Sequence, residues 1–142
     1  MARRKSRRTF GKVLRLPSGR YVDGAVHSPS NADLVAGLAF DLVVVASPMT
    51  APPGALAPDG SWGARARRWF GTVLDRELAT VIDQGTPVLR LEPTSAELGF
   101  FRGDDPEEVR AADLAASAHR SVLAQLRDPA NAAVVDLLGP SA

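Results

Sequence analysis

The chain has 142 residues, 45% of them hydrophobic and 23% charged, and carries a formal net charge of +1. That is enough for one domain with a core and too short for two, and the balance argues against wholesale disorder. The absence of cysteine excludes disulfides and thiolate metal sites, and two histidines far apart in sequence give no basis for a zinc centre, so no metal cofactor is expected.

The charge is unevenly spread along the chain. Arg3, Arg4, Lys5, Arg7, Arg8, Lys12 and Arg15 are basic with no acid among them, which leaves ten basic residues against sixteen acidic ones beyond position 15. Residues 1–15 therefore read as a basic, disordered tail and residues 16–142 as the folded part. A tail of this kind can follow the phosphates of nucleic acid or anionic lipid. A solvated extension is the simpler reading, and nucleic acid is not the expected partner. No apolar run approaches the roughly 18 residues of a membrane span, and no apolar segment follows the N-terminal charges, so the default expectation is a cytoplasmic protein.

Residues 9–16 mix apolar and basic side chains, and Pro17-Ser18-Gly19 supplies turn chemistry before Tyr21-Val22, which predicts a small hairpin leading into Asp23. Asn31 and Asp33 stand ahead of Leu34, Val35 and Leu38, a start signal for a short helix closing near Gly37 or Phe40. Residues 42–46 are an unbroken apolar, β-branched run, the pattern of a strand buried on both faces of a parallel sheet. From 47 to 63 prolines and glycines dominate, and a mobile surface loop is expected.

Residues 64–83 change character. Ala66, Phe70, Val73, Leu74, Leu78, Val81 and Ile82 fall on one helical stripe, Trp69 and Phe70 fit a core face, and Gly85 is a natural stop. Residues 86–91 form the second apolar strand, ended by Pro93. Strand, helix and strand in this order make a parallel βαβ crossover the economical topology. Asp105-Pro106-Glu107-Glu108 is a strong start for a helix running to about Arg127, and Asp128-Pro129 starts a last short helix through Leu138.

The most informative stretch is Tyr21-Val22-Asp23-Gly24-Ala25-Val26-His27-Ser28-Pro29-Ser30-Asn31-Ala32-Asp33. It places a carboxylate beside two small residues, so that a reacting group can approach without meeting a large side chain. Taken alone, Asp-Gly is first of all a turn. Followed by Asp41-Leu42-Val43-Val44-Val45-Ala46-Ser47-Pro48-Met49 and Pro87-Val88-Leu89-Arg90-Leu91-Glu92-Pro93, it resembles the C-terminal half of the patatin-like phospholipase domain, over about residues 20–138. In that family an Asp-Gly-Gly or Asp-Gly-Ala triplet carries the aspartate of a catalytic Ser-Asp dyad. The resemblance implies a partial α/β sandwich with a short parallel sheet flanked by helices, and it implies Asp23 as the catalytic carboxylate with Gly24 and Ala25 as the backbone beside it.

The nucleophile that the family needs has no counterpart. No serine sits in a GxSxG elbow, and Gly60-Ser61-Trp62-Gly63 has the wrong spacing; the glycine-rich oxyanion loop is also lacking. A carboxylate alone forms no acyl-enzyme, so the chain by itself is expected to be inactive. His27 beside Ser28 and Ser30 reads as loop chemistry rather than as a Ser-His pair, because such close neighbours seldom orient as base and nucleophile. His119 reads as a packing or surface residue. Trp62 and Phe100-Phe101, in loop-like segments, are the candidate substrate or interface contacts.

The resemblance implies phospholipids or other acyl esters as substrates of the complete domain, with no cofactor, and a separate N-terminal half carrying GxSxG as the missing partner. Two alternatives remain open at this point. One is a non-catalytic lipid- or protein-binding module in peripheral contact with anionic membranes. The other is a decayed product whose half-sheet leaves strand edges unpaired and prone to aggregate.

Overall fold

A computed structural model describes residues 14–55, 62–100 and 111–139. They form a mixed α/β structure with four strands and four α-helices joined by 3-10 turns. The strands make two separate two-stranded sheets, one antiparallel and one parallel.

Strand β1 (Leu14–Leu16) and strand β2 (Gly19–Tyr21) form the expected hairpin, with Leu14 opposite Tyr21 and Leu16 opposite Gly19 around Pro17-Ser18. The Tyr21 hydroxyl donates to Ser18 Oγ at 3.1 Å and ties the second strand back to the turn. Arg15, the last residue of the basic stretch, thus belongs to the hairpin, whereas residues 1–13 lie outside the described residues.

Strand β3 (Val43–Ala46) and strand β4 (Val88–Leu91) pair in parallel, Val43 beside Val88 and Ala46 beside Leu91. Val43 N donating to Pro87 O and Ser47 N donating to Leu91 O, both at 2.9 Å, extend the ladder at its two ends. Helix α1 (Trp62–Asp83) makes the crossover between them, as a parallel pair requires. It stops where Gly85 turns left-handed at φ 86°, with Gly85 N bonded to Ile82 O and Thr86 N bonded to Val81 O. This double closure satisfies two carbonyls that the helix end would leave orphaned, and glycine adopts it without a Cβ clash.

The core sits where Leu74 and Leu78 of α1 meet Ala32, with Val45 and Val88 packed on them from the sheet. Full burial of a leucine contributes about 2 kcal/mol, so this small cluster is the main apolar anchor of the βαβ unit. Strand alternation turns Leu89 to the other face, where it is 1% exposed. On that side lies helix α3, described over Ala111–Leu126, whose Gln125 grips β4: its Nε2 donates to Glu92 O at 3.0 Å, and its Oε1 accepts from Glu92 N at 3.2 Å.

Three expectations are corrected here. Strand β3 is not buried on both faces: Val44 is half exposed, because no element among the described residues covers it on the side where Leu89 of β4 is enclosed. The buried stripe of α1 is Ala64, Gly71, Leu74, Leu78 and Val81 with Glu77 among them, while Trp69 and Ile82 point outward. The stripe is rotated because α1 packs on the loop at Ala32 as well as on the sheet. The third concerns residues 47–55, which are irregular yet packed: Thr50 is fully buried, its Oγ1 donates to Ser47 O, and Arg67 reaches across from α1 to Pro48 O (2.6 Å) and Thr50 O (3.3 Å).

The expected start of α3 at Asp105 lies outside the described residues. The expected last helix is broken into 3-10 turns at Pro129–Asn131 and Asp136–Leu138 around helix α4 (Ala132–Val135), and Asp128 caps it, accepting from Ala130 N at 2.9 Å. Between β4 and α3 lies a further helix, α2 (Ser95–Gly99), outside the expected elements. Among the described residues, no helix is long and apolar enough to cross a membrane.

Candidate functional site

Asp23 stands at the start of a single 3-10 turn, Gly24–Val26. Its Oδ1 accepts from Ala25 N at 3.0 Å and its carbonyl from Val26 N at 2.9 Å, the arrangement expected of an Asx cap. The side chain is otherwise exposed, and among the described residues it joins no ion pair. Gly24 has no positive φ, and a Cβ placed there would meet only Asn31 Nδ2, at an ordinary 3.5 Å. Nothing in the local fold demands a glycine at this point.

What positions the turn is a set of hydrogen bonds from the residues that follow it. Ser28, 1% exposed, accepts from Ser30 N and Asn31 N through its Oγ, each at 3.1 Å. Asn31 adopts the left-handed conformation at φ 52° and sends its side chain backward, Nδ2 donating to Ser28 O at 2.6 Å and Gly24 O at 3.4 Å. The expected forward cap of the 3-10 turn Ala32–Val35 by Asn31 is therefore absent. Its place is taken by Glu77, buried in α1, whose Oε2 accepts from Ala32 N at 2.9 Å and pins the loop to the helix. Nearby, Ser30 Oγ and Asp33 Oδ1 are buried without a hydrogen-bond partner. Buried polar atoms are seldom left so.

A second feature is a cleft of about 320 Å³ beyond the carboxyl ends of β3 and β4, lined by Ser47, Pro48, Leu91, Pro93, Glu97 and Val122 among others. The carboxyl ends of parallel strands are the usual place for ligands in α/β sheets. The surface it exposes is mainly apolar, although Ser47, Glu92, Glu97 and Ser121 also line it, and Glu97 is fully engaged. Oε2 accepts from Thr94 N (2.7 Å) and Thr94 Oγ1 (2.6 Å), and Oε1 accepts from Ser117 Oγ of α3. Burial pushes the carboxyl pKa up, but hydrogen bonds from Ser117, Thr94 and Ser121 outweigh it and hold the group at about 2. Glu97 thus joins α2 to α3 as an anion at neutral pH. The local signal was present in the sequence: Thr94-Ser95-Ala96-Glu97 is a capping-box pattern.

A third cluster, beside a depression of about 330 Å³, consists of paired charges. Arg90 of β4 binds Asp75 of α1 and Glu92, the latter at 2.8 and 2.9 Å. Desolvation lowers the Arg90 pKa, but Glu92 and Asp75 outweigh it and raise it above the ordinary arginine value. Burial pushes the Arg67 guanidinium down. The Arg90–Asp75 pair braces α1 against the sheet, and Arg67 ties α1 to the loop at Pro48 and Thr50.

The remaining sequence candidates do not converge with Asp23. His27 caps the turn through its backbone, N donating to Gly24 O at 3.0 Å, and its ring is exposed; His119 is exposed on α3. Phe100 is half-buried at the end of α2, and Phe101 lies outside the described residues. Trp62 belongs to α1 rather than to a loop. Among the described residues, no group of three or more acids and histidines could hold a metal ion. No family model, no curated protein and no solved structure matches this chain.

Proposed function

We propose that this chain is the C-terminal portion of a patatin-like lipid acyl hydrolase, a partial sandwich that contributes Asp23 as the proton acceptor of a Ser-Asp dyad whose serine and oxyanion loop lie on another polypeptide. The observation that carries the reading is the state of Asp23. It is an exposed carboxylate at the head of an Asp-Gly-Ala turn, held through one oxygen by its own Ala25 N–H and neutralised by no cation among the described residues. Such a group can take a proton from a serine hydroxyl as it attacks an ester carbonyl, and water can then release the acyl group. The oxyanion would be stabilised by the glycine-rich loop of the other polypeptide.

Two further features support an incomplete domain. Ser30 Oγ and Asp33 Oδ1, buried without partners next to the turn, fit a site that a neighbouring segment completes. Among the described residues the parallel sheet of β3 and β4 is two strands wide with Val44 half exposed, although parallel strands are normally enclosed in wider sheets. The substrates in this reading are phospholipids or other acyl esters, handled in the cytoplasm or at a membrane surface.

The test is reconstitution. The chain alone should not turn over a nitrophenyl ester, and co-expression with an N-terminal half carrying GxSxG should restore hydrolysis. Asp23→Asn should then lower the restored rate by about 10²–10⁴-fold, the usual worth of a general base. Hydrolysis by the chain alone that Asp23→Ala removes, or failure of the two halves to associate, overturns the proposal. A second reading, a non-catalytic lipid-binding module, is favoured by the outward face of α1.

A further inference from the structure

The face of α1 opposite its buried stripe carries Trp62, Arg65, Ala66 and Trp69, spaced i, i+3, i+4 and i+7, so that they stand together on one side of the helix. They line an open depression of about 520 Å³. Trp62 is 77% exposed and Trp69 57% exposed, with the Trp69 ring propped at 5.2 Å from Phe70. Two tryptophans so exposed on one helix face are unusual in a water-facing surface, where large apolar patches mark interaction sites.

Along the first three turns of this helix the charge has one sign. From residue 62 to residue 74 the helix carries Arg65, Arg67 and Arg68 and no acid. Arg67 turns inward to Pro48 O and Thr50 O, whereas Arg65 and Arg68 are exposed and join no ion pair among the described residues. The first acid along the helix, Asp75, is engaged by Arg90. Arg76, also exposed, continues the basic surface by one turn.

From this we infer that the outward face of α1 is a docking surface for an anionic lipid bilayer, with Trp62 and Trp69 at headgroup depth and Arg65 and Arg68 on lipid phosphates. Tryptophan, apolar in body and polar at its N–H, suits the membrane interface, and exposed arginines add electrostatic attraction to anionic lipid. The helix lies along the surface, because its opposite face is committed to Leu74, Leu78 and Val81 in the core. The inference does not depend on Asp23 being a catalytic base.

The chain holds two tryptophans, both on this face, so intrinsic emission reports on it alone. Adding phosphatidylcholine vesicles containing phosphatidylglycerol to the full chain should shift that emission to the blue, and high salt should reverse the shift. Replacing Arg65 and Arg68 with alanine, which keeps both fluorophores, should weaken binding about fivefold per arginine. Trp62→Ser with Trp69→Ser, followed by vesicle flotation, should weaken it roughly tenfold or more; circular dichroism checks that the variants remain folded. Flotation of the wild-type chain without an emission shift would assign the binding to the basic N-terminal residues and overturn the inference. An equal shift on purely neutral vesicles, or a shift that grows with protein concentration in the absence of lipid, overturns it as well, the latter by making a second copy the occupant.

Discussion

Asp23 and Glu97 are both carboxylates that accept backbone N–H groups at the head of a helical turn, yet they are built for opposite ends. Glu97 is 3% exposed, uses both oxygens on Thr94 and Ser117, and is held ionised at a pKa of about 2. Asp23 is exposed and uses one oxygen on one N–H. A carboxylate whose lone pairs are all occupied is fixed in place and lost to proton transfer, whereas one with an oxygen to spare is weakly held and open to a reacting group. The contrast separates a residue that supports the fold from one that the proposed function casts as a proton acceptor.

The largest effect is expected at Glu97. Glu97→Ala leaves Ser117 Oγ and Thr94 N without their acceptor and uncouples α2 from α3, costing about 3 kcal/mol, to be read as a fall in the urea midpoint at unchanged slope. The acid limb of stability sharpens the same point. Because the folded Glu97 pKa lies below its ordinary 4.5, its contribution is fully present above pH 4.5 and is lost as pH falls towards about 2. Denaturation midpoints measured across that window should decline, and Glu97→Gln should flatten the decline. A steep acid limb that persists in Glu97→Gln would remove the anion from its supporting role.

The smallest effect is expected at Asp23. Asp23→Ala removes one exposed cap from one short turn and should cost about 0.5–1 kcal/mol. A loss as large as that of Glu97→Ala would make Asp23 a structural residue and erase the distinction drawn between the two.

Much of the path to these residues was legible in the chain. The strand–helix–strand order, the Gly85 stop, the Asp128 cap and the Asp23 turn rest on interactions among residues a few positions apart, so composition and spacing reveal them. The Glu97 cap was written just as locally in Thr94-Ser95-Ala96-Glu97. Its burial was not, because that depends on Ser117, twenty positions later on another helix.

The sequence by itself determined which segments become strand, helix and turn, because backbone hydrogen bonds and capping act over a few residues. Only the tertiary structure decided which faces those segments hide. It turned Glu77 inward to Ala32 N and Trp69 outward to solvent, and it covered Leu89 of β4 while leaving Val44 of β3 half bare. Burial depends on elements brought in from distant parts of the chain, and a helical stripe or an apolar run carries no information about which neighbour will arrive.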